Sequence, residues 1–72
     1  MSDKIRDQVA KRFGAALRTA RTSKGWTQPQ LEERTGVSRP AIARYESGRR
    51  APPLTEALLL ANALGFSLDD LG

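Results

Sequence analysis

From Ile5 onward the apolar residues Val9, Phe13, Ala16, Leu17 and Ala20 recur at three- and four-residue intervals. That period lays them along one helical stripe and predicts a long first helix. It ends near Lys24 and Gly25, where a basic last turn meets a glycine able to take the left-handed cap conformation. Residues 1–4 precede the stripe and are expected to fray. Thr27 opens the next element with Gln30 three positions on, a capping-box spacing, and Pro29 sits in a first turn whose amides lack helical partners anyway. A short helix to about Thr35 follows. Gly36 breaks it, Val37 supplies an apolar plug, and Ser38 caps a third helix that accommodates Pro40 in its first turn and ends near Ser47 and Gly48. Residues 49–53, RRAPP, make a basic, proline-stiffened connection to a fourth helix marked by Leu54, Ala57, Leu58, Ala61 and Leu64 and closed by Gly65. Ser67 is placed to cap a fifth, short turn carrying Leu68 and Leu71, with Asp69 and Asp70 near its N-terminus. No stretch alternates as a strand would. The expectation is a compact all-α fold of five helices, with residues 1–12 as an N-terminal extension of the first helix and residues 13–72 as the domain.

Seventy-two residues suit one domain with an economical core. The chain has neither cysteine nor histidine, which removes thiolate and imidazole chemistry, disulfide stapling and the commonest soft metal ligands together. A catalytic role is not expected, and neither is a metal or cofactor. The neighbouring carboxylates Glu32 and Glu33, and Asp69 and Asp70, diverge from a helix and read as solvated charge. No glycine has the neighbours of a phosphate-binding loop. No apolar run reaches the length of a membrane span, and Asp3 and Asp7 spoil any leader-like basic start, so the expected location is cytoplasmic.

Charge sharpens the picture. The net charge is +4, and residues 1–50 hold all twelve lysines and arginines, whereas residues 51–72 hold only Glu56, Asp69 and Asp70 as charged groups. A polyanion would be drawn to one end and repelled by the other. Within the basic part, residues 27–48, TQPQLEERTGVSRPAIARYESG, present two short capped helices joined by a tight glycine-containing turn. That is the layout of a DNA-binding helix-turn-helix. An ordinary helical hairpin shares the outline but not the chemistry of the second helix. Val37, Ala41, Ile42 and Tyr45 fall on one side of it, leaving Arg39, Pro40, Ala43, Arg44 and Ser47 on the other. Such a face fits a major groove, where an arginine donates two hydrogen bonds to guanine O6 and N7.

With these landmarks assembled, residues 13–71 resemble the Cro and phage-repressor (XRE-type) helix-turn-helix family. The resemblance rests on GWTQPQL at Gly25 to Leu31, GVSRPAIARYESG at Gly36 to Gly48, and LANALGFSLDDL at Leu60 to Leu71, in the family's order. It implies a five-helix lambda-repressor-like fold, recognition through the third helix, and homodimers on palindromic double-stranded operators. Residue by residue, it implies that Gln28 bonds a DNA phosphate and that Ser38, Arg39, Pro40 and Arg44 face bases or adjacent backbone. Pro40 offers only shape or a contact with a thymine methyl, which concentrates direct readout on Arg39 and Arg44. It also implies an ion pair between Arg21 and Glu46, and a basic loop at Arg49 and Arg50 set against phosphates, with Arg21 adding to the salt-sensitive contacts. Each of these charges could instead be plain surface solvation. Two positions depart from the family: Glu32 stands where a small apolar residue is usual, and Thr35 where an aliphatic is usual. A carboxylate there must reach solvent or a basic partner.

Trp26, Phe13, Tyr45 and Phe66 lie at apolar-periodic positions and read as core and rim anchors rather than base-stacking platforms. Leu59 falls off the inward stripe of the fourth helix, beside Asn62 and towards Phe66. It is either an ordinary exposed leucine or, with Phe66, part of a surface for a symmetry mate or protein partner. The expected function is a transcriptional regulator, most simply a repressor. The alternative is a protein-interaction module, an antitoxin or coactivator-type bridge built on the same fold, fed by Leu59, Phe66, Ile5 and Val9.

Overall fold

A computed structural model describes residues 2–68, which fold as four α-helices with no strand among them. These are α1 (Ser2–Ser23), α2 (Gln28–Thr35), α3 (Arg39–Glu46) and α4 (Leu54–Leu64). The five-helix expectation is therefore corrected to four among the described residues. Leu68 is in helical conformation, while Asp69, Asp70 and Leu71 of the expected last turn lie outside the described residues. Of residues 1–4, expected to fray, Ser2, Asp3 and Lys4 lie within α1, and Met1 lies outside the described residues.

The short helices are held by the chemistry at their ends. The Thr27 hydroxyl accepts the Gln30 amide at 3.2 Å, and the Gln30 carboxamide oxygen accepts the Thr27 amide at 2.8 Å, closing a reciprocal capping box. Gly36, at φ 79°, ends α2 in the left-handed conformation and donates its amide to the Glu32 carbonyl. The Ser38 hydroxyl then accepts the Ala41 amide at 3.3 Å and starts α3. An eight-residue helix is marginal alone. These caps and the packing of one face hold each in place.

Leu17, Leu31, Ile42 and Leu60, one from each helix, are the fully buried large side chains. Around them gather Phe13, Val37, Tyr45, Ala57 and Leu64, with Trp26, Phe66 and Leu68 packed at the margin. Helix α1 packs on α3 and α4, and α2 packs on the same two. The inward stripe of α4 differs from the expected one. Leu60 is buried completely, while Leu54 and Leu58 are 69% and 50% exposed. The α4 sequence, LTEALLLANAL, is apolar nearly all round, so the period alone does not fix which face turns inward.

Candidate nucleic-acid interface

The approach of α1 to α3 sets the height of the candidate reading helix. Gly14 is buried, and a Cβ placed there would lie 2.3 Å from the Tyr45 carbonyl oxygen and 3.1 Å from that of Glu46. Only a glycine lets the two backbones lie so close. One helical turn before it, Ala10 is buried too.

The end of α3 is then tied to both preceding helices through one carboxylate. Arg21 donates from Nε to Glu46 Oε2 at 2.6 Å and from Nη2 to Oε1 at 2.9 Å. Its Nη1 donates to the Trp26 carbonyl at 2.7 Å. Gln28 Nε2 adds a bond to Glu46 Oε1 at 3.1 Å. The Arg21 and Glu46 side chains are 13% and 6% exposed, and the hydrogen bonds that Arg21 donates to Glu46 raise the Arg21 pKa further against the opposing effect of burial. Desolvation offsets much of the attraction in such a pair, so its main effect is to fix geometry. Arg21 is thereby turned to the interior of the helix triad. Gln28 keeps one N–H and its carbonyl oxygen beyond this network.

Two contacts here were not visible in the sequence. The exposed Glu32 carboxylate accepts the Arg39 amide at 3.1 Å, adding an anionic cap to the first turn of α3. Glu32 reaches solvent, as expected of a carboxylate at that position, and the Arg39 backbone amide is a further partner that spacing alone does not reveal. The Tyr45 hydroxyl donates to Glu56 in the first turn of α4. Burial first, and this bond second, push the Tyr45 phenol up to about 12. Capping spacing within a helix can be read from a sequence, but these pairs span seven and eleven residues and depend on packing.

With its inner side fixed, α3 presents Arg39, Pro40, Ala43, Arg44 and Ser47 to one open hollow, joined there by Arg49 from the following loop. No acidic side chain lines it. Arg39, Pro40 and Arg44 are exposed, as is Ser38 at the helix start, although its hydroxyl is engaged in capping. Arg50 is exposed beside Arg49. On α4, Leu59 is 45% exposed and lines a shallow hollow with Thr55, Leu58 and Asn62. Phe66 is half-buried, its ring centroid 5.9 Å from that of Phe13, and it borders a neighbouring hollow that shares Leu58 and Asn62. Leu59 and Phe66 thus border two neighbouring hollows that meet at Leu58 and Asn62. Trp26 packs on the core margin with the Arg34 guanidinium 4.2 Å from its ring centroid and Lys24 Nζ at 5.5 Å. Its face is covered by cations. Among the described residues no group of three or more acidic, histidine or cysteine side chains forms a metal cluster, and no helix is long and apolar enough to cross a membrane.

Two short capped helices set across each other, the second carrying an exposed basic face, define an all-α helix-turn-helix protein. The chain belongs to the helix-turn-helix family of transcriptional regulators, whose family model, described as Helix-turn-helix, matches residues 17–71. It is 39% identical over 59 residues to the SPbeta prophage-derived uncharacterized HTH-type transcriptional regulator YonR of Bacillus subtilis (strain 168), covering 82% of this chain and 55% of that protein. Among solved structures it is similar to the restriction-modification controller protein C.AhdI from Aeromonas hydrophila, with a TM-score of 0.77 and 35% identity over 88% of this chain and 96% of that one. It is also similar to the clp gene regulator ClgR from Corynebacterium glutamicum, with a TM-score of 0.78 and 33% identity over 88% of this chain and 67% of that one. The chain spans about half the length of the Bacillus subtilis relatives it matches.

Proposed function

We propose that this chain is a cytoplasmic, sequence-specific double-stranded DNA-binding repressor that reads the major groove with α3 and binds a palindromic operator as a homodimer. The observation that carries the reading is the outward face of α3, where Arg39, Arg44 and Arg49 share one exposed hollow that no carboxylate lines. A helix of this width enters a major groove, and arginine is the side chain best suited to the paired acceptors of guanine. Arg39 and Arg44 read bases, Pro40 contributes shape, and Ser38 joins them at the helix start. Gln28, Arg49 and Arg50 hold the backbone and set register. Arg21 acts through Glu46: with three of its donors engaged inside the protein, it positions α3 rather than meeting a phosphate. Leu59 and Phe66, with Leu58, form the surface for the second copy. No cofactor is required by this mechanism, and occupancy of the operator suffices for repression.

Comparison of Arg44→Ala with Arg50→Ala tests the division between base reading and backbone holding, since both delete one positive charge. Arg44→Ala is expected to remove about 1–3 kcal/mol of discrimination at one operator base and leave that position degenerate. Arg50→Ala is expected to weaken all duplexes alike and lower the slope of log affinity against log salt by about one for each phosphate it no longer neutralises. Binding of each variant to the operator, its single-base variants and random duplex across a salt series decides it. Uniform weakening by Arg44→Ala would contradict the assignment of α3 to readout and favour the protein-interaction alternative.

A further inference from the structure

The first three turns of α1 extend past the helix-turn-helix, and the basic surface does not stop at α3. Ala10 and Gly14 are both buried and have little or no side chain, so α1 lies close along the end of α3 and the loop that follows. Lys11 touches that loop directly: a Cβ built on Gly48 would lie 3.2 Å from Lys11 Cγ and 3.3 Å from Lys11 Cα. Arg6 precedes Ala10 by four residues and so stands on the same helical stripe, one turn further out. There it lines a hollow with Asp7, Ala10, Arg49, Arg50 and Ala51. Arg49 borders this hollow and also the one on the outward face of α3. Arg39, Arg44, Arg49, Arg50 and Arg6 therefore follow one another over a continuous surface drawn from three elements. Arg6, Arg49 and Arg50 are exposed, and among the described residues none of the three has a carboxylate within salt-bridge distance, Asp7 included.

We infer that the N-terminal extension of α1 supplies an additional DNA-backbone site, in which Arg6 and the loop arginines Arg49 and Arg50 grip phosphates next to the stretch read by α3. The inference rests on the DNA-binding reading above and assigns a role to a segment outside the helix-turn-helix. The ligand chemistry is the phosphodiester of a duplex: three guanidinium groups converging from two elements suit successive backbone oxygens, and nothing in the hollow reads a base. Asp7 lines the same hollow and opposes anion binding.

The test is duplex binding by the full chain, measured on the operator and on random DNA over a salt series, for the wild type, Arg6→Ala, Lys4→Ala and Asp7→Asn. Lys4 carries the same charge two residues away but does not line the hollow. Arg6→Ala is expected to weaken operator and random duplex by the same factor, with base preferences unchanged, and to reduce the log–log salt slope by about 0.9 per protomer bound. Lys4→Ala is expected to leave the slope nearly unchanged, and Asp7→Asn to strengthen binding to both duplexes. Unaltered circular dichroism of Arg6→Ala separates a missing phosphate grip from unfolding. Wild-type binding with an Arg6→Ala slope equal to that of the wild type overturns this inference alone. Equal slope reductions for Arg6→Ala and Lys4→Ala overturn it too, because a diffuse field would then account for both. Failure of the wild type to bind any duplex overturns the DNA-binding reading itself and this inference with it.

Discussion

At Gly14 a single methyl group would force α1 from α3, since the nearest obstacle is backbone, 2.3 Å from the added carbon. Backbone carbonyls do not swing aside as a flexible side chain does. Gly14→Ala is therefore expected to destabilise the fold by about 1–3 kcal/mol, the range for overpacking a close contact, although alanine favours helices elsewhere. Chemical denaturation of the variant measures this, and an unchanged or raised stability would refute the close approach of the two helices. Tyr45 makes a different residue-level prediction. Its phenol is held near 12 in the fold, against about 10 in an unfolded chain. Folding therefore favours the protonated form. The associated stability is fully present below about pH 10 and is lost as pH rises through the folded value, because only the unfolded chain has given up the proton in that window. Unfolding curves of wild type and Tyr45→Phe across pH 9–12 should diverge in slope over this range. Parallel curves would contradict the raised phenol pKa, to which burial contributes first and the bond to Glu56 second.

The elements show where sequence sufficed and where it did not. The bounds of α2 and α3 were legible because Thr27, Gln30, Gly36 and Ser38 act on backbone groups within a few residues of themselves, and the structure contains those bonds. The basic outward face of α3 was legible for the same reason, since a helix of known start and period assigns its own sides. The phase of α4 was not. Three successive leucines, Leu58, Leu59 and Leu60, offer almost equal apolar faces, and only packing against α1 and α2 chose Leu60. Nor could the reach of Glu32 to α3 be seen, because it requires the turn to be built first. Glu32→Ala is expected to weaken α3 at its N-terminus by about 0.5–1 kcal/mol, the size of a charge or cap interaction at a helix end. Faster amide exchange at Arg39 with unchanged exchange in α4 is the expected signature. A uniform change across all four helices would instead indicate a global effect.

Over the whole protein, the basic face of α3 and its loop stands apart from the apolar outer side of α4, a separation that suits a dimer on a polyanion, whereas on α1 the exposed Ile5 and Val9 lie among basic residues. The basic groups of α3 and its loop line one connected surface, while Leu58, Leu59 and Phe66 border hollows elsewhere that include no basic residue. Leu59→Glu is expected to leave the protomer folded, because the side chain is 45% exposed, and to change the complex on operator DNA from two protomers to one. Sedimentation of the protein–DNA complex reads that stoichiometry. Two protomers bound by the variant would move the self-association surface elsewhere, and the exposed Leu54 would then be the next residue to test.

Whether α3 reads DNA is decided by selecting binding sites from a pool of random duplexes with the wild-type chain. The expected result is enrichment of a palindromic consensus, with half-sites about one helical turn, roughly 34 Å, apart to match the recognition helices of a two-fold dimer. Guanines in each half-site are expected to lose their enrichment when the selection is repeated with Arg44→Ala. A pool that remains random, or a consensus unchanged by the loss of Arg44, would contradict a reading role for α3.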